Sequence, residues 1–150
     1  MVETFASLGA DVTPTPWGRE AVDALTKGVF EGTETNVFSV WEWELFRSLK
    51  YLSLTGHGYA PIIIVMSRAA HDRLSDADRQ AFIEAARLAA RLDRKDNDDQ
   101  EAAGVANLLS AGMRINDDVD KAAFRAALAL AYAKWREQFG DLVDRIQAYR

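Results

Sequence analysis

The chain has 150 residues and a mass of 16.7 kDa, with 49% hydrophobic and 27% charged residues, a composition that excludes a disordered polypeptide. A chain of this length buries about 68–70% of the surface its unfolded form exposes, so it can build a core without disulfides or a structural metal. It contains no cysteine, which excludes thiolate nucleophiles, iron–sulfur clusters and cysteine-type zinc sites without assigning a compartment. The net charge is −5, and the first fifty residues hold four basic groups (Arg19, Lys27, Arg47, Lys50) against eight acidic ones. With no basic stripe to displace phosphate counterions, nucleic acid is not an expected partner. The longest apolar run, Ile62 to Met66, is far short of the roughly 20 residues of a spanning helix. Met1-Val2-Glu3-Thr4 carries neither the basic nor the apolar stretch of a secretory signal.

In chain order, residues 11–16 read as extended, because each proline pushes its predecessor toward β or polyproline geometry. A helix is expected next, with Thr15 as cap, Pro16 at the first position, Val22, Leu25 and Val29 on one face and Gly28 as its end. Residues 31–36 lack periodicity and read as a turn or short strand. Trp41, Leu45 and Leu49 at four-residue spacing predict a helix over about 38–48. Residues 51–55 alternate and predict a half-buried strand; after Gly56-His57-Gly58, the unbroken run 62–66 predicts a strand covered on both faces.

Ser75 three residues before Asp78 is a capping-box variant that starts a long helix, with Phe82, Ala85, Ala86, Ala89 and Leu92 as its buried stripe and Gly112 beyond its end. Residues 113–116 suit a short edge strand and 117–120 a turn. Phe124, Ala127, Leu128, Ala131, Tyr132 and Trp135 fall on one face of an amphipathic helix that Gly140 breaks, and Leu142, Val143, Ile146 and Tyr149 give one more apolar face. The fold class is therefore α/β, helix-rich with a few strands around 51–67.

Motifs for chemistry are sparse. The acidic run 96–101 lacks the sixth-position glycine of a calcium loop, since Glu101 stands there, and reads as a solvated helix face. His57 and His71 lie on different elements with no acid at ligand spacing, so no metal or cofactor is expected. No nucleophile elbow and no phosphate-cradling loop is present, so the chain is not expected to be an enzyme. Of the four tryptophans, Trp135 is expected in the core, whereas Trp41 and Trp43 cannot share a face, which leaves one for a surface or cleft.

The order of several segments carries a resemblance. Leu8-Gly9-Ala10, Pro14, Glu20, Ala24-Leu25, Gly28-Val29-Phe30-Glu31-Gly32-Thr33-Glu34-Thr35-Asn36 and Lys50-Tyr51-Leu52-Ser53-Leu54-Thr55-Gly56-His57 resemble the solute-binding proteins of tripartite ATP-independent periplasmic (TRAP) transporters, the DctP-type family. Tyr59, Pro61, Ser67, Leu74-Ser75, Asp78-Arg79, Ala111-Gly112-Met113 and Ala123-Phe124-Arg125 continue the pattern. The resemblance implies the C-terminal half of a two-lobed periplasmic-binding fold. Residues 1–50 would belong to the second, ligand-closing lobe, and 51–150 would be crossover strands and helices packing on the first lobe, in a single compact chain.

It further implies a periplasmic location, a small organic acid as ligand and TRAP membrane subunits as partners, with Thr35, Asn36, Trp41, His57 and Tyr59 on the cleft side. The family's carboxylate-binding arginine lies on a strand just before the place where this sequence starts, and Arg19, Arg47 and Arg68 do not match it. Thr35 takes the place of the family's ligand-contacting asparagine, with Asn36 one later. The competing expectation is an interaction module that has lost solute binding: strand 62–66 needs sheet neighbours, so a homodimer or domain swap would cover it.

Overall fold

A computed structural model describes residues 1–149. The chain groups into two compact units, and the segments of each are interleaved in sequence. One unit comprises Met1–Asp23, Ser53–Thr55 and Asn116–Arg150; the other comprises Ala24–Leu52 and Gly56–Ile115. Among the described residues no helix is long and apolar enough to cross a membrane.

The first unit contains α1 (Val2–Ser7), α6 (Lys121–Ala127), α7 (Ala129–Phe139) and α8 (Leu142–Ala148). α1, α6 and α8 each pack on α7, and Leu128, Ala131 and Val143 are buried. The single amphipathic helix expected across 124–135 is two helices, because Leu128 leaves helical geometry (φ −91°, ψ 9°) and serves as the end of one and the start of the next. Asp120 caps α6 by accepting from the backbone N–H groups of Ala122 (3.1 Å) and Ala123 (2.9 Å), which satisfies donors that have no partner inside the first turn. Gly140, at φ +60°, bounds α7 as expected.

The N-terminal helix is held by one carboxylate. Glu3 accepts from Lys134 Nζ at 2.6 Å and from Trp135 Nε1 at 2.8 Å, while Trp135 meets Tyr132 edge-on at 5.2 Å. The hydrogen bonds from Lys134 and then Trp135 hold the Glu3 carboxyl below its ordinary value of 4.5, and the Glu3 partner raises Lys134. A carboxyl whose folded pKa is depressed contributes stability that is present above its unfolded pKa and lost as pH falls through the folded one. Melts of the wild type and Glu3→Gln should therefore converge as the pH falls from 4.5 through the lowered value of the folded state, with the wild type the more stable at pH 7. The difference is small because the pair is exposed, and Trp135 fluorescence reports it locally.

The second unit is built on α5 (Asp76–Ser110), a 35-residue helix. Its start follows the capping expectation: Ser75 Oγ accepts from Asp78 N–H at 3.2 Å and donates to the Asp78 carboxylate at 2.7 Å. Gly112, at φ +86°, lies just past its end. α3 (Val37–Glu42) packs on the C-terminal third of α5, where Val37, Val40, Gly104 and Leu108 are buried. Gly104 is what lets the helices approach: a Cβ there would lie 3.2 Å from Val37 Cγ1. Gly104→Val should cost about 1–3 kcal/mol by overpacking, read as a lower denaturation midpoint. Gly104→Ala should stay near neutral, because its helix propensity gain of about 1 kcal/mol offsets the tight methyl.

Several local expectations are corrected. α2 (Arg19–Thr26) starts later than Thr15 and Pro16 suggest, and the Thr15 hydroxyl instead donates to the Thr13 carbonyl. Its buried residues are Ala21 and Leu25, while Val29 is exposed. α3 stops at Glu42, since Glu44 turns left-handed (φ +53°), and the chain resumes as a 3-10 turn at Leu45–Arg47 with Leu45 buried. An Arg47–Glu44 ion pair at 2.9 Å spans that turn, and it holds the Glu44 carboxyl below its usual value.

β1 (Tyr51–Ser53) and β2 (Arg114–Asn116) pair as a two-stranded sheet. Arg114 N–H donates to Lys50 and Leu54 N–H to Asn116, each at 2.9 Å, so residue numbers rise together along both strands and the pair is parallel. Residues 62–66 are not a strand: they have no regular structure and lead to α4 (Arg68–Asp72), and every one of them is exposed. The stripe expected to be buried on α5 is likewise open, with Phe82 and Leu92 more than half exposed. In both places the apolar pattern is present but no neighbour among the described residues covers it.

Candidate functional site

All five residues singled out from the sequence lie in the second unit. The loop over 31–36 has no regular structure and feeds directly into α3. Asn36 is the N-cap of that helix: its backbone is extended (φ −78°, ψ 159°) and its Oδ1 accepts from Ser39 N–H at 2.7 Å. The cap uses the carbonyl oxygen, which leaves the Asn36 amide NH2 directed by the same geometry and able to donate outward. Thr35, immediately before it, is half-buried and offers a hydroxyl.

His57 meets this loop. Its Nε2 lies 3.3 Å from Glu34 Oε1, so a side chain from the Gly-His-Gly turn and the carboxylate next to Thr35 are in contact although 23 positions apart in sequence. The contact places His57 against the segment that carries Thr35 and Asn36. Glu34 was not among the residues selected from the sequence. The signal for it was an acid directly preceding the Thr35-Asn36 pair, available to one of only two histidines.

Trp41 lies further along α3 and stacks on Phe46, with ring centroids 5.1 Å apart and an interplanar angle of 18°. It is 36% exposed, with a ring face against Phe46. Arg47 sits over the far aromatic, 5.8 Å from the Phe46 centroid. Tyr59 is not brought to the others: it is 90% exposed, and among the described residues it forms no hydrogen bond or ring contact. The arrangement thus supplies donors (Asn36 amide, Thr35 hydroxyl, His57 imidazole) and an aromatic surface, with one carboxylate already engaged. Among the described residues no cluster of three or more His, Cys, Asp or Glu side chains could hold a metal ion.

Comparison with known proteins shows the family. The model of the family described as bacterial extracellular solute-binding protein, family 7 (DctP) matches residues 1–138, and the chain belongs to that family. A solute-binding protein of Verminephrobacter eiseniae is 39% identical over 139 residues, covering 93% of this chain and 41% of that protein. The 2,3-diketo-L-gulonate-binding periplasmic protein of Escherichia coli is 30% identical over 127 residues, covering 85% of this chain and 38% of that protein. A TRAP periplasmic solute-binding protein from a Polaromonas species, solved with D-erythronate bound, superposes with a TM-score of 0.84 at 35% identity, covering 98% of this chain and 48% of that one. One from Roseobacter denitrificans, solved with β-D-glucuronate, gives a TM-score of 0.84 at 33% identity over 99% of this chain and 50% of that one. The chain spans about half the length of the relatives it matches.

Proposed function

We propose that the 34–36 loop, His57 and the part-exposed Trp41 form one wall of a site for a small organic acid, and that the chain serves solute capture for a TRAP-type transporter. The single observation that supports this most is the Glu34–His57 contact, which sets an imidazole against the loop that carries Thr35 and Asn36 into the start of a helix. Erythronate, glucuronate and diketogulonate, named with the relatives, share a carboxylate and several hydroxyls, and such a ligand asks for donors to its anionic end and an amphipathic ring for its carbon face. Thr35 and Asn36 fit the first need and Trp41 the second. Tyr59 would join them only if the segment after Gly58 moved toward the loop. The same reading places the chain in the periplasm with membrane subunits as partners, and it requires no bond to be broken.

Calorimetric titration with D-erythronate and D-glucuronate, with neutral glucose as control, tests it. Saturable heat from the acids alone, lost in Thr35→Val, supports the reading; no heat from any acid overturns it. Turnover of a substrate abolished by His57→Ala would overturn its non-enzymatic part. A second reading is favoured by the uncovered apolar residues of 62–66 and α5, which point to a self-associating module. A stable homodimer or domain-swapped species by light scattering, silent toward every acid, would support that reading instead.

A further inference from the structure

Gly104 is the one glycine of α5, and its backbone is helical rather than left-handed, so no turn requires a glycine there. Inside a helix a glycine is less stable than an alanine, because it has more backbone freedom to lose. The neighbouring helix supplies the reason for it. A Cβ at position 104 would stand 3.2 Å from Val37 Cγ1 and 3.8 Å from the Val37 carbonyl oxygen. Val37 is buried, and a β-branched side chain in a helix is held to one χ1 rotamer, so its methyl does not swing aside. Leu108, one turn beyond Gly104 on the same face, is wholly buried and pins the α5 side. A methyl group at 104 is therefore accommodated by movement of α3.

Val37 is the first residue of α3 and directly follows Asn36. Asn36 is tied to that first turn twice: its Oδ1 accepts from Ser39 N–H at 2.7 Å and its carbonyl accepts from Val40 N–H at 3.2 Å. Any shift of the turn carries Asn36 with it, and Thr35 and Glu34 follow along the chain. His57 stands on a separate segment, the turn after β1, and meets Glu34 at 3.3 Å. The depth at which α3 sits on α5 thus sets where the loop lies relative to the imidazole.

We infer that Gly104 is a positioning residue for the Thr35–Asn36 loop: the missing side chain lets the first turn of α3 settle at the depth that brings the loop against His57. A methyl at 104 displaces the turn by a few tenths of an ångström while leaving the stability of the unit little changed. The displacement is a matter of this chain's own packing, and its consequence for affinity rests on the solute-capture reading. A misplacement of about 1 Å costs about 100-fold, so a few tenths cost about fourfold.

A double-mutant cycle on Gly104→Ala and Val37→Ala tests it, read by the imidazole proton NMR signals, by the melting midpoint and by calorimetric affinity for D-erythronate and D-glucuronate. The chain has two histidines, so His71, beside Asp72 on α4, is an internal control. Gly104→Ala should move the His57 ring signals and not those of His71, leave the melting midpoint near that of the wild type and weaken both acids about fourfold. In the Val37→Ala background, where Cγ1 is gone, the same alanine should change neither the ring signals nor the affinity, although that background melts lower. A merely structural glycine would instead make affinity follow stability. Three results overturn the inference: His57 signals unmoved by Gly104→Ala, a shift of the same size in the Val37→Ala background, or acids bound as tightly by Gly104→Ala as by the wild type. If no acid gives heat with the wild type while the ring signals follow the cycle, the solute reading fails and the positioning of the loop by Gly104 stands.

Discussion

Leu108→Ala is expected to lower the stability of the second unit by about 2–5 kcal/mol, the largest effect of any single truncation proposed for this chain. Leu108 is fully buried, at 0% exposure, in the part of α5 against which α3 packs. Removing its isobutyl group forfeits the transfer energy of the lost carbons and leaves a cavity that the two helices close only in part. For a chain of this length the shift amounts to about 5 °C or more in the melting midpoint. Leu109, one position on, is more than half exposed, and Leu109→Ala should change stability by less than about 0.5 kcal/mol. Differential scanning calorimetry of the two variants checks the contrast. Equal effects would mean that α5 is not anchored through this face. Because α3 begins at the loop that carries Thr35 and Asn36, loss of the α3–α5 packing should also weaken any solute binding by the chain.

The second large effect separates folding from recognition at one residue. Asn36 has two tasks in the proposed site: its oxygen caps α3 through Ser39 N–H, and its amide NH2 is available to a ligand. Asn36→Asp keeps the capping oxygen and adds a negative charge at a helix N-terminus, so stability should hold within about 0.5 kcal/mol of wild type. The same change replaces a donor by an anion beside a bound carboxylate, in a loop that already holds Glu31 and Glu34. Two unit charges 4 Å apart at an effective dielectric of 20 repel by about 4 kcal/mol, and tenfold in affinity is about 1.4 kcal/mol. Acid binding should therefore fall at least tenfold, even with screening. Asn36→Ala should weaken both, losing about 1 kcal/mol of stability with the cap. Calorimetry for affinity and thermal melts for stability, run on both variants, give a pattern that a merely structural asparagine would not produce. If Asn36→Asp binds the acids as well as wild type, the amide does not touch them.

Features fixed by short-range chemistry were legible from the residues alone. Ser75 and Asp78 start α5, Gly112 and Gly140 bound helices at positive φ, and a strand forms at 51–53 of the 51–55 segment expected, because caps, positive φ and alternation act within a few positions. The family was legible too, in the order of motifs from Leu8 to Arg125. Thr35, Asn36 and His57 are candidates that the sequence alone offers, whereas the contact of His57 with Glu34 across 23 positions is seen only in the structure.

Errors arose where local pattern needed a distant partner to be realised. The 62–66 run has the composition of a buried strand, and the stripe from Phe82 to Leu92 has the period of a buried helix face, yet both are exposed. Composition and period record what a segment can bury, while the presence of a neighbour is decided by the tertiary contacts of whatever polypeptide is there. In the same way, only packing showed that the chain divides into two interleaved units, since each is held by contacts between residues more than a hundred positions apart in one and across the α3–α5 crossing in the other. The sequence by itself determined several helix caps and ends, the strand that starts at Tyr51 and the kind of protein they belong to. Tertiary structure decided which apolar faces are cores and which are left open, because burial is a property of two surfaces and a sequence pattern describes one.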